Sequence, residues 1–451
     1  MNKAVELKDT ESSLNVKELT KVNIDMKVLI ICSIAMCIAQ IGEIKNSNIY
    51  ITLAFSFIAI TAVFSSYKQL LPMTLFLLAV NRMFTINGIS VQFVIIVIFC
   101  FKYYIFRRNR IDLRLTLLSL MFLIYSIQYL YFDDVQIFFQ SIKAIILLYF
   151  CAGAFNSSRE EDPVVTYKEI IFYAIVGVLV SFAITIIIQP SVLSGGRLAL
   201  SDESNENALG ILSGILFSHC LLLYAKETKG TRYLILGMLL ALIGFLTGSR
   251  TFFVVFALAI SWIVLPVLVN NKNSYRGRVL ILVFFISIVF YFSLNNYDSV
   301  IMRLIDRFIN PRRNDISNGR FEIWNLYLTI LKSNIQYLLF GIGSYEKLGI
   351  SHMAHNMYIE QITMFGIVGN LIIIMIYKRV CKIIKSFYKL SHTSKRLNIY
   401  FYLPILSIFL AGFFSHIFIS ITNTLLYFLG LKLIYSRCAN NNKIKLSKEI
   451  S

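Results

Sequence analysis

Residues 232–269 read RYLILGMLLALIGFLTGSRTFFVVFALAISWIVLPVLV, two apolar runs joined at Thr247-Gly248-Ser249-Arg250, with Arg232 and Arg250 as the charged residues of the stretch. At 1.5 Å per residue each run, wound as a helix, is long enough to cross most of a hydrocarbon core. So short a turn obliges the two helices to run antiparallel. Within it, Gly248 can end the first helix and Ser249 can cap the second, which leaves Arg250 in the first turn of an apolar helix.

The same pattern extends in both directions. The chain of 451 residues is 57% hydrophobic and 15% charged, with a mean hydropathy of +0.71, values that exclude a water-soluble globular fold of this length. Runs of about 17 to 22 apolar residues predict spans at 27–44, 48–65, 68–84, 90–106, 112–132, 135–154, 168–189, 206–226, 232–247, 251–269, 278–294, 356–377, 398–417 and 420–436. The expected fold class is therefore all-α, a polytopic transmembrane bundle of about fourteen spans. It divides into an N-terminal tail (1–26), a first set of helices (27–189), a core (190–436) and a C-terminal tail (437–451). The first 26 residues do not resemble a cleaved secretory signal, so the first span is expected to act as its own insertion signal.

A net charge of +19 would suit a nucleic-acid binder only if the basic residues covered a folded soluble surface, and little such surface is expected here, so nucleic acid is excluded as a partner. The charge reports orientation instead. Arg107, Arg108 and Arg110, then Lys226, Lys229 and Arg232, then Lys272, Arg276 and Arg278, then the run from Lys378 through Arg396 all follow apolar segments. Each cluster should face the cytoplasm, with both chain ends on that side. Phe132, Asp133 and Asp134 form an acidic outer turn; Glu160, Glu161 and Asp162, expected inside, weigh little in that rule. The seven cysteines are scattered without a metal-ligand spacing and read as small apolar residues.

Two outer loops are long enough to hold a site, 189–205 and 295–355. In the second, Ile301, Leu304, Ile305, Phe308 and Ile309 share one helical face opposite Arg303, Asp306 and Arg307, as in a short interfacial helix. A second short helix is expected after Asn318 as its cap, with Ile323, Trp324, Tyr327, Leu328 and Leu331 on one side and Arg320 in the first turn.

A helix N-terminus carries about half a positive charge, so a cation there is disfavoured by roughly 0.3 to 1 kcal/mol unless an anion reverses the sign. Arg250 and Arg320 both face that situation, and Arg197, after Gly195 and Gly196, adds a third guanidinium on the same side. Converging, the three would match the fork geometry of a phosphate or diphosphate. The alternative is ordinary ion pairing, Arg320 with Glu322 or Asp315 and Arg197 with Asp202 or Glu203.

His352, His355 and Asn356 precede the twelfth span, where an imidazole could orient or deprotonate a hydroxyl. With no third ligand at a recognisable spacing they do not read as a metal site. Gly341 and Gly343 read as turn glycines, since no strand precedes them and no GxGxxG is completed. Lys143 and Arg82 sit inside apolar runs, where an unpaired charge costs about 2.5 to 3.5 kcal/mol near the bilayer centre; Lys143 could contact a lipid phosphate, and snorkelling or a hidden ion pair would relieve either.

Glu206-Asn207-Ala208-Leu209-Gly210, Thr247-Gly248-Ser249-Arg250, Asn318-Gly319-Arg320-Phe321-Glu322-Ile323-Trp324, Phe340-Gly341-Ile342-Gly343, and His355-Asn356-Met357-Tyr358 with Phe365-Gly366-Ile367-Val368-Gly369 occur in that order around one large loop. In this order they resemble the O-antigen polymerase and O-antigen ligase family of bacterial envelope polysaccharide assembly. The resemblance covers about residues 190–375; the first half of the chain matches only in hydrophobicity.

The resemblance implies a glycosyltransferase of the bacterial cytoplasmic membrane that uses a polyprenyl-diphosphate-linked oligosaccharide on the outer leaflet, with no cofactor and no metal. Its implied pathway partners are a flippase and a chain-length regulator. It assigns the diphosphate to Arg197, Arg250 and Arg320 and places His355 near the acceptor hydroxyl. The longer arginine-containing motif frequent in polymerases is not evident around Arg197, so that assignment is the thinnest. Asp315 and Glu322 remain alternative bases. A polymerase joining repeat units to one another is favoured over a ligase transferring a glycan to another acceptor. A flippase or other transporter would instead show related halves and broken helices at the midplane.

Overall fold

The computed structural model describes residues 25–81, 83–131, 134–155, 163–189, 198, 206–226, 230–269, 319–344, 353–387, 399–414 and 420–450. Their elements in chain order are α1 (Met26–Ile44), α2 (Asn48–Phe64), α3 (Tyr67–Phe76) with a 3-10 turn at Leu77–Val80, a hairpin of β1 (Thr85–Ile86) and β2 (Ile89–Ser90), α4 (Val91–Cys100) continuing as a π-turn to Phe106, α5 (Leu113–Tyr131), α6 (Val135–Ala154) and α7 (Pro163–Ile188). There follow α8 (Glu206–Lys226), α9 (Thr231–Leu246), α10 (Arg250–Val269), α11 (Arg320–Ser333), α12 (Ile335–Phe340), α13 (Met357–Phe387), a 3-10 turn at Ile399–Tyr402, α14 (Leu403–Gly412) and α15 (Ile421–Ile450).

Six of these helices are long and apolar enough to cross a membrane, and seven further apolar helices are shorter. The chain is thus a helical membrane protein. Its surface agrees, because Ile60, Leu117, Ile124, Ile127 and Ile374 lie exposed along the bundle, an arrangement that water would penalise and lipid would not.

The core is built around α8. Every residue from Leu209 through Tyr224 is buried, and the helix packs against α7, α9, α10 and α14. Close approach begins at Gly210, where an added Cβ would lie 2.5 Å from Ser249 Cβ and 2.7 Å from Thr247 Oγ1. That glycine lets the start of α8 touch the turn between α9 and α10.

Several expected boundaries shift for local reasons. The 68–84 span stops at Val80 because Asn87 and Gly88, both with positive φ, close a hairpin from Thr85 to Ser90. The 398–417 span is a 3-10 turn followed by a short α14, with Pro404 in its first turn; 415–419 lie outside the described residues. Beyond 377, α13 continues to Phe387, and α15 runs on through the segment expected as a free tail. The cap of α11 is Gly319 (φ 83), not Asn318, and on that helix Leu328 is exposed while Ile330 packs inward. The 278–294 span, the 301–309 helix and the N-terminal tail through residue 24 lie outside the described residues.

Candidate functional site

The turn between α9 and α10 is built from its own side chains. Thr247 Oγ1 donates to Gly244 O and accepts from Ser249 N–H, while Ser249 Oγ accepts from Phe252 N–H at 3.3 Å. Gly248 takes φ 60. Thr247, Ser249 and Thr251 are buried, so these bonds satisfy groups that would otherwise be costly to bury. Arg250 is left as the first residue of α10, half-buried, as the cap residues predict.

Arg320 is likewise the first residue of α11, after the left-handed Gly319. Its guanidinium lies 5.9 Å from the centre of the Phe414 ring, just past the end of α14. Burial pushes the Arg320 guanidinium below its ordinary range, and the positive charge of Arg250 pushes it further the same way. The two guanidiniums, from distant parts of the chain and each at a helix N-terminus, are thus near enough for one charge to act on the other. Among the described residues no carboxylate pairs with Arg320, and the pairing with Glu322 that the sequence allows does not form. Asp315, Asp202 and Glu203 lie outside the described residues, as does Arg197. The residue after Arg197 is described: Leu198 is buried and its N–H donates to Leu246 O at 2.9 Å, at the end of α9 and four residues before Arg250.

His355 reaches the same end of the bundle through α11. Trp324 Nε1, one turn beyond Arg320, donates to Ala354 O at 2.8 Å, and Tyr327, Ala354 and Ile359 bury a small apolar cluster between α11 and α13. His355 itself has φ 51, a left-handed conformation unusual for a residue with a Cβ. Its N–H donates to Glu360 Oε1 at 2.9 Å, and Asn356 Oδ1 caps α13 by accepting from Tyr358 N–H and Ile359 N–H. His352 lies outside the described residues.

Gly341 and Gly343 are turn glycines, with φ 75 and 91. The amides around them are spent on the protein: Gly341 N–H donates to Tyr337 O, Ile342 N–H to Thr363 O and Ser344 N–H to Asp134 Oδ2. The turn presses backbone to backbone against a kink in α13 at Gly366 (φ 60), where a Cβ on Gly341 would lie 2.5 Å from Met364 O. Tyr125 Oη donates to Phe340 O and Phe365 O, and Tyr129 Oη donates to Met364 O, so α5 ties the turn to the residues just before the kink.

Lys143 takes a neutral partner in place of the ion pair the sequence allows. Its Nζ donates to Gly88 O at 3.0 Å, in the hairpin, with the Phe93 ring 5.9 Å away. Arg82 lies outside the described residues. Among the described residues no group of three His, Cys, Asp or Glu side chains could hold a metal ion.

The sequence reading singled out neither Glu360, Phe414 nor the hydrogen-bonding role of Trp324. An acidic residue in the first turn of an apolar helix was the available signal for Glu360; the other two depend on tertiary packing. No protein-family model matches the chain, and no curated protein matches it.

Proposed function

We propose that this chain is a membrane glycosyltransferase that joins polyprenyl-diphosphate-linked oligosaccharide repeat units to one another on the outer face of the bacterial cytoplasmic membrane. The observation that carries the reading is the approach of Arg250 to Arg320, two partly buried guanidiniums at two helix N-termini. Like charges brought together where the helix dipoles are also positive are held at a cost, and an anion bound between them reverses its sign. A diphosphate offers the charge and the oxygens that two planar forks need.

The chemistry follows from that occupant. The acceptor hydroxyl oxygen attacks C1 of the donor sugar, the bond from C1 to the diphosphate oxygen breaks, and its electron pair leaves with the diphosphate. Arg250 and Arg320 stabilise the charge that develops there more in the transition state than in the ground state. The hydroxyl proton passes to a base, for which His355 is the best-placed candidate on the neighbouring turn. Arg197 is proposed as a third donor because Leu198 is tied to the end of α9.

The proposed topology has about fourteen spans with both ends cytoplasmic. Arg107, Arg379, Lys382 and Lys385 lie at the bundle end remote from Arg250, which suits the cytoplasmic side. The test is to reconstitute the purified protein in vesicles with lipid-linked repeat units and no second acceptor. Longer lipid-linked chains are expected. Transfer only when a different acceptor is added would indicate a ligase, and movement of the lipid between leaflets without new glycosidic bonds would indicate a transporter.

A further inference from the structure

We propose that Glu360 is a positioning residue for His355: its carboxylate accepts the His355 N–H and holds the histidine in the left-handed conformation from which the imidazole serves the acceptor hydroxyl. The inference rests on the glycosyltransferase reading and adds to it a residue with no counterpart among the arginines.

The argument starts from the backbone. His355 has a Cβ and is neither asparagine nor aspartate, so φ 51 is disfavoured unless its surroundings enforce it. Three side chains do so from both directions along the chain. Trp324 Nε1 holds Ala354 O, Glu360 Oε1 holds His355 N–H, and Asn356 Oδ1 holds the first amides of α13.

Of the three, only the Glu360 contact acts on His355 directly. Glu360 is buried, at 8% exposure, and it sits in the first turn of α13, where the helix dipole favours a negative charge. In a capping box a first-turn carboxylate reaches back three residues to the amide of the cap itself. Glu360 reaches back five residues, past Asn356, to the residue before it. Because φ sets the direction in which Cβ leaves the chain, fixing this bond fixes where the imidazole starts from. The Trp324 bond ties the same turn to the helix that begins with Arg320, so the acceptor side and the diphosphate side keep one spacing.

The test uses the full chain in vesicles, comparing Glu360→Ala, Glu360→Gln, His355→Ala and the double variant His355→Ala/Glu360→Ala. Glu360→Ala should lower kcat about a hundredfold with KM little changed, and Glu360→Gln, whose amide oxygen still accepts the N–H, should restore it to within about tenfold of the wild type. The double variant should be no slower than His355→Ala alone, since both changes remove one function.

Selective 15N-histidine labelling gives a second readout. Of the five histidine amides, the one missing in His355→Ala should move in Glu360→Ala and return in Glu360→Gln. Wild-type turnover in Glu360→Ala, multiplicative losses in the double variant, or Glu360→Gln as slow as Glu360→Ala would each overturn the positioning role, the last by showing that the charge itself reacts. A wild-type protein without transfer activity removes the reaction and the role with it, while the His355 amide signal reports separately on the contact.

Discussion

Two arginines at opposite ends of the bundle keep different company. Arg379, in the last turns of α13, donates through Nε and Nη2 to both oxygens of Asp112, at 2.8 and 2.5 Å. That fork is complete within the protein and joins the far end of α13 to the link before α5. Arg320, near the start of α13, has an aromatic ring and a second guanidinium for neighbours. The first arrangement is a structural tie whose charges cancel; the second sets two positive charges at helix N-termini, which is the basis of the proposed anion site. Arginine content alone would not have separated the two, but the sign of the neighbouring charge does.

The sharpest way to break that comparison is to remove each fork in turn. Arg320→Ala should reduce chain lengthening by about a hundredfold to a thousandfold, as loss of a transition-state donor does, with thermal stability close to the wild type. Arg250→Lys keeps the charge and loses the bidentate fork, and it should fall on the same side of the comparison, losing about a hundredfold. Polymer of full length from Arg250→Lys, measured by gel profiling in a complemented deletion strain, would break the account of that position.

Gly366→Ala probes what lies between the two ends. Its φ of 60 and the closeness of Gly341 N and Leu339 O leave no room for a methyl group. The substitution should destabilise the protein by about 3 kcal/mol and, unlike Arg320→Ala, lower folded yield and thermal midpoint together with activity.

The smallest effect belongs to the structural tie. The Arg379 fork holds the Asp112 carboxyl below its usual range, with the Leu115 amide and the charges of Arg379 and Arg114 adding to it against a modest burial penalty. A depressed carboxyl pKa contributes stability that is fully present above the unfolded value of about 3.9 and is lost as pH falls through the folded value. Asp112→Asn should therefore destabilise by about 0.2 to 1 kcal/mol at neutral pH, and the gap to the wild type should close only as pH falls below the unfolded value of about 3.9 and through the lower folded one. Activity at neutral pH should be unchanged. Thermal unfolding of both proteins across that range checks the sign.

Much of this was legible in the sequence where the physics is local. Apolar run lengths mark the helices, and Gly248 with Ser249 marks the start of α10 to the residue. Asn87-Gly88 is a hairpin signal set among apolar residues that by length alone suit one continuous helix. What stayed hidden depends on distant pairs. Tyr125 bonds to Phe340 and Phe365 across more than two hundred residues, and the pattern of α11 could not say that Leu328 would be exposed while Ile330 packed inward. The same holds for the candidate site. Arg250 and Arg320 are each marked by their helix starts, but the effect of one charge on the other depends on tertiary packing. Glu360 matters only through the unusual φ of His355, which no residue pattern announces.

The central claim is most directly tested by native mass spectrometry of the full chain with a polyprenyl diphosphate added. One bound lipid is predicted for the wild type and for Arg379→Ala, and loss of that bound state for the double variant Arg250→Ala/Arg320→Ala. Equal occupancy in all three proteins would contradict the account, because Arg250 and Arg320 would then hold nothing that Arg379 does not.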